Sequence, residues 1–522
     1  MIDTKRLRQK ILDLAIRGKL VEQDPEDEPA SVLLERIHQE KLQMVADGEL
    51  KKKDVAKDSV IFRGEDNSYY EKVGDNEPVC IDEEIPFELP EGWAWARLGT
   101  PINIARGGSP RPIKEYITHG KEGVNWIKIG DCKKGERYIT HVSEKIIPQG
   151  IKKSRMVHAG DFLLTNSMSF GRPYILKVDG CIHDGWLVFE HPEVVFDKGF
   201  LFHLLSSEFA YMQFTIAATG STVKNLNIDK VKESIFPLPP LKEQIRIAEC
   251  ANKLLEQVSD IERSQERLEE LLKQARSKVL DLAIRGKLVE QDPEDEPASV
   301  LLERIHQEKL QMVAEGKLKK KDIAKDSVIF RGEDNSYYEK VDDDDLACID
   351  DEIPFELPGN WAWSRLGSLL AQLLSGSDLT KREYNSDGNG IPYMTGASNV
   401  LGTSLIINRW TETPKNISEK GDLLITCKGT VGLTAFNTIG DIHIARQFMA
   451  LKSCEGEDDI LLKYLMYYLT FRVKAVSENS TGLIPGIDRS TVLTILVPVP
   501  PNNEQLHIVN RLESIINQIA FY

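Results

Sequence analysis

Two sets of short, glycine-punctuated polar stretches are the parts of this chain whose side chains could do chemistry. In the first set, ARGGSPRPIK carries Arg106, Ser109, Arg111 and Lys114, GDFLLTNSMSFGRPYIL carries Asn166, Ser167, Ser169 and Arg172 beside Gly171, and TGSTVKNLN carries Ser221, Lys224 and Asn225. In the second, LSGSDLTKREY carries Ser375, Ser377, Lys381 and Arg382, and PYMTGASN carries Thr395, Ser398 and Asn399. GDLLITCKGTVG adds Thr426, Lys428 and Thr430, and TGLIPGIDRS adds Arg489. These hydrogen-bonding and cationic groups suit recognition of a polar surface better than the breaking of a bond. Bidentate Arg on guanine and Asn on adenine are the geometries that tell one base from another. Taken singly, each residue fits a turn or a solvated surface as well as a base contact. As a set they favour DNA contact, because polar and glycine residues gather where an ordinary surface would carry more Glu and Lys.

The motifs of bond-making chemistry are absent. No GxxxxGK[ST] phosphate loop occurs, and HExxH, GxSxG and the zinc deaminase pattern are missing too. The diprolines Pro239-Pro240-Leu241 and Pro500-Pro501-Asn502 lack the flanking groups of an adenine methyltransferase signature. His183 and His443 fit packing or surface roles, so neither a catalytic nor a metal residue is expected. The 7 cysteines are scattered without CxxC spacing, which argues for a reducing compartment and against disulfides or zinc. The N-terminus has no signal-peptide core and no apolar run reaches membrane length, so a soluble cytoplasmic protein is expected.

The net charge of −16 looks wrong for a partner of nucleic acid, but its distribution does not. Between Trp93 and Pro237 there are 19 Lys plus Arg against 14 Asp plus Glu, and between Trp361 and Pro498 there are 13 against 13, leaving −21 on the rest. Two less acidic segments sit in an acidic frame, and a phosphate backbone senses local charge. The acidic runs QDPEDEP and VDDDD fit solvated surface or linker.

The elements that must position these loops are repeated. Arg8–Val73 and Arg276–Val341 align without a gap and differ at only five positions. Each copy predicts a helix near ASVLLERIHQEKLQMVA with an apolar face of Val32, Leu33, Ile37, Leu42 and Met44, a solvated LKKKD turn, and a short hairpin over SVIFRGEDNSYYEKV. The match runs on through IPFELPEGWAWARLG and IPFELPGNWAWSRLG, then gives way to two modules that diverge until FPLPP and VPVPP. Both modules mix short β-like runs (INIA, VNWIKI, KIIP, DFLLT, WLVF; LIINRW, DLLIT, HIARQFMAL) with a helical run, as compact α+β domains do.

Between the modules, Lys242 to Gly286 keeps one apolar seam through Leu254, Val258, Ile261, Gln265, Leu268, Leu272, Ala275, Val279 and Leu282, the pattern of a helix seeking a coiled-coil partner. Such a helix is roughly 65 to 70 Å long. The two chain ends repeat it: Met1 aligns with Glu269 and Tyr522 with Ile261. The partner is thus expected to be assembled from both ends, in a circular arrangement.

Two divergent modules, each introduced by LPxxWxWxRLG and closed by a PxPP-x-x-EQ helix inside a circular repeat, resemble the specificity subunit of a type I restriction-modification system. The resemblance covers essentially the whole chain. It implies an α+β fold of two globular target recognition domains joined by a long antiparallel two-helix coiled coil with a circular pseudo-twofold repeat. The expected layout is an N-terminal conserved region at 1–92, recognition domains at 93–237 and 361–498, a spacer helix at 238–289, a repeated insertion at 290–360 and a C-terminal conserved helix at 499–522. Gly160 to Leu176 resembles the family's strand-loop-strand near DNA. The resemblance implies a noncatalytic reader of a bipartite, asymmetric duplex target with half-sites about one helical turn, ~34 Å, apart. It also implies two methyltransferase subunits that flip and methylate adenines, and restriction/translocase subunits. S-adenosylmethionine, ATP and Mg are then expected on those partners and no cofactor on this chain. A coiled-coil scaffold for other proteins and a free-standing repressor are the alternative readings, separable by salt-dependent DNA binding and by the need for partners.

Overall fold

Tryptophan and glutamate motifs far apart in the chain turn out to be two halves of one buried contact, and the rest of each half of the molecule is built around it. In this computed structural model the described residues are 2–48, 55, 58–133, 135–167, 171–218, 226–323, 326–341, 345–456, 459–478 and 486–521. They form two compact units, Met1–Glu266 and Arg267–Tyr522. In the first, the Trp93 indole N–H donates to Glu243 at 3.0 Å; in the second, Trp361 donates to Glu504 at 2.8 Å. The next tryptophan of each motif, Trp95 or Trp363, is buried in the core. The arginine that follows pairs with the insertion: Arg97 with Glu71 at 2.6 Å and Glu84 at 2.7 Å, and Arg365 with Glu339 at 2.6 Å and Glu352 at 2.8 Å. Burial pushes the Glu243 and Glu504 carboxyls above their ordinary pKa. The indole donors, joined at Glu243 by Gln23 at 3.2 Å, offset the cost of burying these carboxyls.

The repeated stretch forms helices Ala30–Ala46 and Ala298–Ala314. The hairpins pair in register from Ser59 opposite Val73 and from Ser327 opposite Val341. The buried helix face is Ala30, Leu33 and Ile37, whereas Val32, Leu42 and Met44 are exposed. The inward stripe continues instead through Lys41, whose amine reaches the buried Asp58 at 3.0 Å; a charged residue occupies a position that hydrophobic periodicity reserves for an apolar one. The first acidic run is anchored on the long helix, where buried Asp27 pairs with Arg246 at 2.6 Å and Gln23 donates to Glu243 at 3.2 Å. Of the basic turn, residues 51–54 lie outside the described residues, and in the second copy Lys320–Ile323 is one helical turn.

Each module stacks two sheets. In module one the first sheet runs Asn103–Arg106, Trp186–Glu190, Phe162–Thr165, Pro173–Leu176 and Tyr138–Ile139; in module two it runs Gln372–Ser375, Phe448–Lys452, Leu423–Thr426 and Thr434–Phe436. The second sheet contains one parallel pair in each, Ile182 opposite Ile127 and Ile444 opposite Met394. Strand Phe162–Thr165 is buried throughout, with Phe162 and Leu164 in one apolar cluster and Leu163 in another. Leu423 and Ile425 are likewise divided from Leu424. A period of two on a strand covered on both faces requires this division.

Three runs that read as single elements are broken. LIINRW yields separate pairs at Ser404–Leu405 and Trp410–Thr411. HIARQFMAL splits into Ile442–Ile444 and Phe448–Lys452, which belong to different sheets. The helical run of module one breaks at Ser207, whose hydroxyl donates to Leu204 and accepts the Ala210 N–H, whereas module two keeps one helix, Ile460–Glu478.

The long helix is continuous over Leu241–Ile284, 44 residues. In the first unit the helix Thr4–Ile16 runs antiparallel to it: Ile2 accepts from Gln265 at 3.3 Å, Arg8 pairs with Glu262 at 2.7 Å, and Ile11 shares a cluster with Ala251 and Val258. In the second unit Ala283 and Ile284 share a cluster with Ile508, Val509 and Leu512 of helix Asn502–Phe521. Of the seam residues, Leu268 and Ala275 are exposed, whereas Ile261 and Leu272 are half-buried.

Candidate nucleic-acid interface

In module one the polar loops converge on a residue absent from the sequence reading, Asp184. Its carboxylate accepts from the Ser109 hydroxyl at 2.7 Å and from Arg111 at 3.3 Å. Its backbone carbonyl accepts from Arg106 at 2.9 Å and from the buried Asn166 at 3.2 Å. Its own N–H donates to the Ser109 oxygen at 3.3 Å. The Ser109 hydrogen bond, with His183 and Arg111 nearby, holds the Asp184 carboxyl below its ordinary pKa. Burial pushes the His183 pKa down, and the Gly185 N–H lies 2.8 Å from its Nδ1. Arg111 is 80% exposed in its side chain, so its guanidinium is tethered without being enclosed.

Module two repeats this frame position by position with other side chains. Gly107 N–H donates to Trp186 and Gly376 N–H to Phe448; Gly108 donates to Ile182 and Ser377 to Ile444. Asn166 N–H donates to Gly185 and Cys427 N–H to Gln447; Asn166 and Cys427 in turn accept from Leu226 and Ile487. A Cβ on Gly107 would overlap the His183 carbonyl, and one on Gly376 the Ala445 carbonyl, so each crossing requires glycine. Thr165 and Thr426 each accept the N–H that closes the following loop, from Arg172 and Leu433, both at 2.9 Å. Gly171 and Gly432 turn those loops at φ of 77° and 87°. At the positions of Ser109 and Asp184 stand Asp378 and Arg446. Asp378 accepts the Arg446 N–H at 3.2 Å and pairs with its Nε at 2.7 Å.

The other expected residues divide. Arg106, Ser109, Arg111 and Asn166 meet at Asp184, and Ser167 lies beside Gly185. Lys114 is exposed on a single turn, Ile113–Glu115. Arg172 pairs through its backbone with Thr165. Ser375 accepts from Asn416 at 2.6 Å, and Ser377 accepts from His443, a buried imidazole whose pKa burial pushes down, at 2.9 Å. Lys381, Arg382, Ser398, Lys428 and Thr430 are exposed, while Thr426 is buried and donates to the Thr430 carbonyl at 2.7 Å. Asn399 is buried with its side chain spent internally, accepting from Thr395 at 2.8 Å and donating to Ile406 at 2.8 Å. Arg489 donates to the Leu373 carbonyl. Both of these hold loops together here. Ser169, Ser221, Lys224 and Asn225 lie outside the described residues.

Asp184, Asp378 and Arg446 are what sequence reasoning missed. The available signal was a polar residue following a buried strand, in CIHD and HIAR. Among the described residues no group of His, Cys, Asp and Glu is placed to hold a metal, and no helix is long and apolar enough to cross a membrane.

The type I restriction modification DNA specificity domain, as a family, matches residues 90–273 and 358–521. The type I restriction enzyme EcoEI specificity subunit of Escherichia coli is 26% identical over 98% of this chain and 88% of its own length. The type I restriction enzyme EcoAI specificity subunit, also of Escherichia coli, is 26% identical over 98% of this chain and 89% of its own. A solved chain from work on complex assembly and conformational transition of the type I R-M system superposes with a TM-score of 0.54 at 21% identity, over 83% of this chain and 93% of that one, a likeness of fold.

Proposed function

Because this chain belongs to the type I restriction modification DNA specificity family, whose members are noncatalytic DNA-recognition subunits, we propose that each of its two modules reads one half of a bipartite, asymmetric duplex target. One observation carries the reading: the hydrogen-bonded frame around Gly107, Asn166 and Asp184 recurs around Gly376, Cys427 and Arg446, while the side chains it presents differ. A constant frame with changed donors and acceptors is what two readers of unlike sequences need, because base edges are distinguished only by their donor and acceptor pattern. The exposed cations Arg111, Lys114, Lys428, Lys381 and Arg382 suit phosphate contacts that position such a reader.

The partners in this reading are two modification subunits and restriction/translocase subunits, which carry S-adenosylmethionine, ATP and Mg. The duplicated insertion supports two copies of one partner. It presents the same apolar pair twice, Val60 and Phe62 at 51% and 40% exposure and Val328 and Phe330 at 64% and 42%. Large apolar groups left exposed in a repeated pattern suit protein contact.

The test is methylation of a randomised duplex library by the chain assembled with its modification subunits, with affinity followed against salt. Two separated, unlike sequence blocks and a steep negative salt slope are expected. One continuous block, or affinity indifferent to salt, would overturn the proposal.

A further inference from the structure

We propose that Arg446, aimed by Asp378, reads guanine in the half-target of module two. This inference rests on the reading of module two as a DNA reader and names a specificity-determining residue within it. Four segments meet at this point. Ser377 N–H donates to Ile444, Cys427 N–H to Gln447 and Ile487 N–H to Cys427. The Cys427 thiol donates to the Arg446 carbonyl at 3.5 Å, and Lys428 bridges to Gly486. Arg446 therefore rises from a backbone held on three sides.

Its side chain is held as well. One carboxylate grips both ends of the residue, Asp378 Oδ1 taking the backbone N–H at 3.2 Å and Oδ2 lying 2.7 Å from Nε. A guanidinium has five N–H donors, and a contact at Nε leaves the terminal pair of nitrogens pointing away from the carboxylate. That terminal edge is the one that can meet guanine O6 and N7 together. The side chain is 67% exposed, so the edge is open to a ligand. A long side chain restrained before binding loses less freedom on contact, which is the physical use of Asp378 as a positioning residue. Lys428, exposed on the adjoining segment, suits a neighbouring phosphate. In module one the equivalent position is Asp184, which cannot donate to guanine, and the cations come from the other loop. The two half-targets should differ at this point for that reason.

The experiment profiles methylation of a randomised duplex library by the chain with its modification subunits, wild type against Arg446→Ala, Arg446→Lys and Asp378→Ala. Arg446→Ala should lower the preference for one G·C pair in the module-two half by roughly 10- to 100-fold, with the module-one half unchanged. Arg446→Lys should keep overall affinity without restoring that preference, and Asp378→Ala should weaken the same pair to a smaller extent. Equal loss at every pair of the half-target, full preference in Arg446→Lys, or a wild-type half-target without a G·C pair would overturn the inference and leave the two-module reading standing. A wild-type profile with no second half-target would overturn the reading itself. Arg446→Lys and Asp378→Ala keep the question decidable if Arg446→Ala fails to fold.

Discussion

At one matching point of the two recognition modules the charges are exchanged. Module one places a hydroxyl, Ser109, beneath a carboxylate, Asp184; module two places a carboxylate, Asp378, beneath a guanidinium, Arg446. What survives the exchange is a single contact, a side-chain oxygen accepting a backbone N–H, and either a hydroxyl or a carboxylate can make it. The fold asks only for an acceptor at one position and nothing of the next side chain except that it leave the backbone free. The outward group can therefore change sign while the loop stays where it is. Asn166 and Cys427 teach the same lesson less sharply: each donates to the carbonyl of that outward residue, through an amide in one case and a thiol in the other.

The comparison breaks if the two frames respond unequally to the same insult. Gly107→Ala and Gly376→Ala should each cost about 3 kcal/mol, since the added methyl meets backbone. Each should also erase the half-target of its own module while sparing the other. Denaturant unfolding and library methylation check both, and tolerance in one module alone would show that the frames are not equivalent.

A pH difference sharpens the contrast. His203 is buried, donates through Nε2 to the Asn252 amide oxygen at 2.8 Å, and has its pKa pushed down by burial to about 4, whereas helix Ile460–Glu478 contains no histidine. A depressed histidine contributes stability that is fully present above its unfolded pKa, near 6.5, and is lost as pH falls through about 4. The contribution is roughly 3 kcal/mol. Wild type should lose that much more than His203→Gln on acidification, measured by urea unfolding at neutral pH and near pH 4; equal losses would contradict it.

Trp93→Phe and Trp361→Phe remove the indole donors to Glu243 and Glu504 and should cost about 2 kcal/mol each. Thermal unfolding that registers one and not the other would mean the repeated motif does different work in its two copies. The smallest effect is local to module two. The Lys415 hydrogen bond holds the Glu383 carboxyl down at about 2, so its contribution is present above the ordinary carboxylate pKa and disappears only as pH falls through about 2. An NMR titration should show Glu383 moving upward in Lys415→Ala, with the core signals unchanged.

Much of the frame was legible in the chain. The helix and hairpin of the insertion and the long helix follow from local periodicity and from comparing one stretch with another, whereas the antiparallel course of Thr4–Ile16 against it is what the family resemblance implies. The tryptophan and EQ motifs were visible as repeats, but not as partners, because Trp93 and Glu243 are 150 residues apart. The candidate interface was legible only as composition. HIARQFMAL reads as one strand because its apolar residues alternate well enough, and only pairing with two different sheets breaks it at Arg446. WLVF drew attention to a strand and away from Asp184, two residues before it. Asn399 and Arg489 show the converse limit: polar residues in loops attract a recognition reading whether their polar atoms turn outward or, as here, inward onto Ile406 and Leu373.

The most direct measurement replaces residues 93–237 with a second copy of 361–498 and profiles methylation by the resulting chain with its modification subunits. If each module reads its own half-target through a shared frame, the product should recognise two copies of the module-two half in opposed orientation, a symmetric target. Retention of the original asymmetric target would contradict the account.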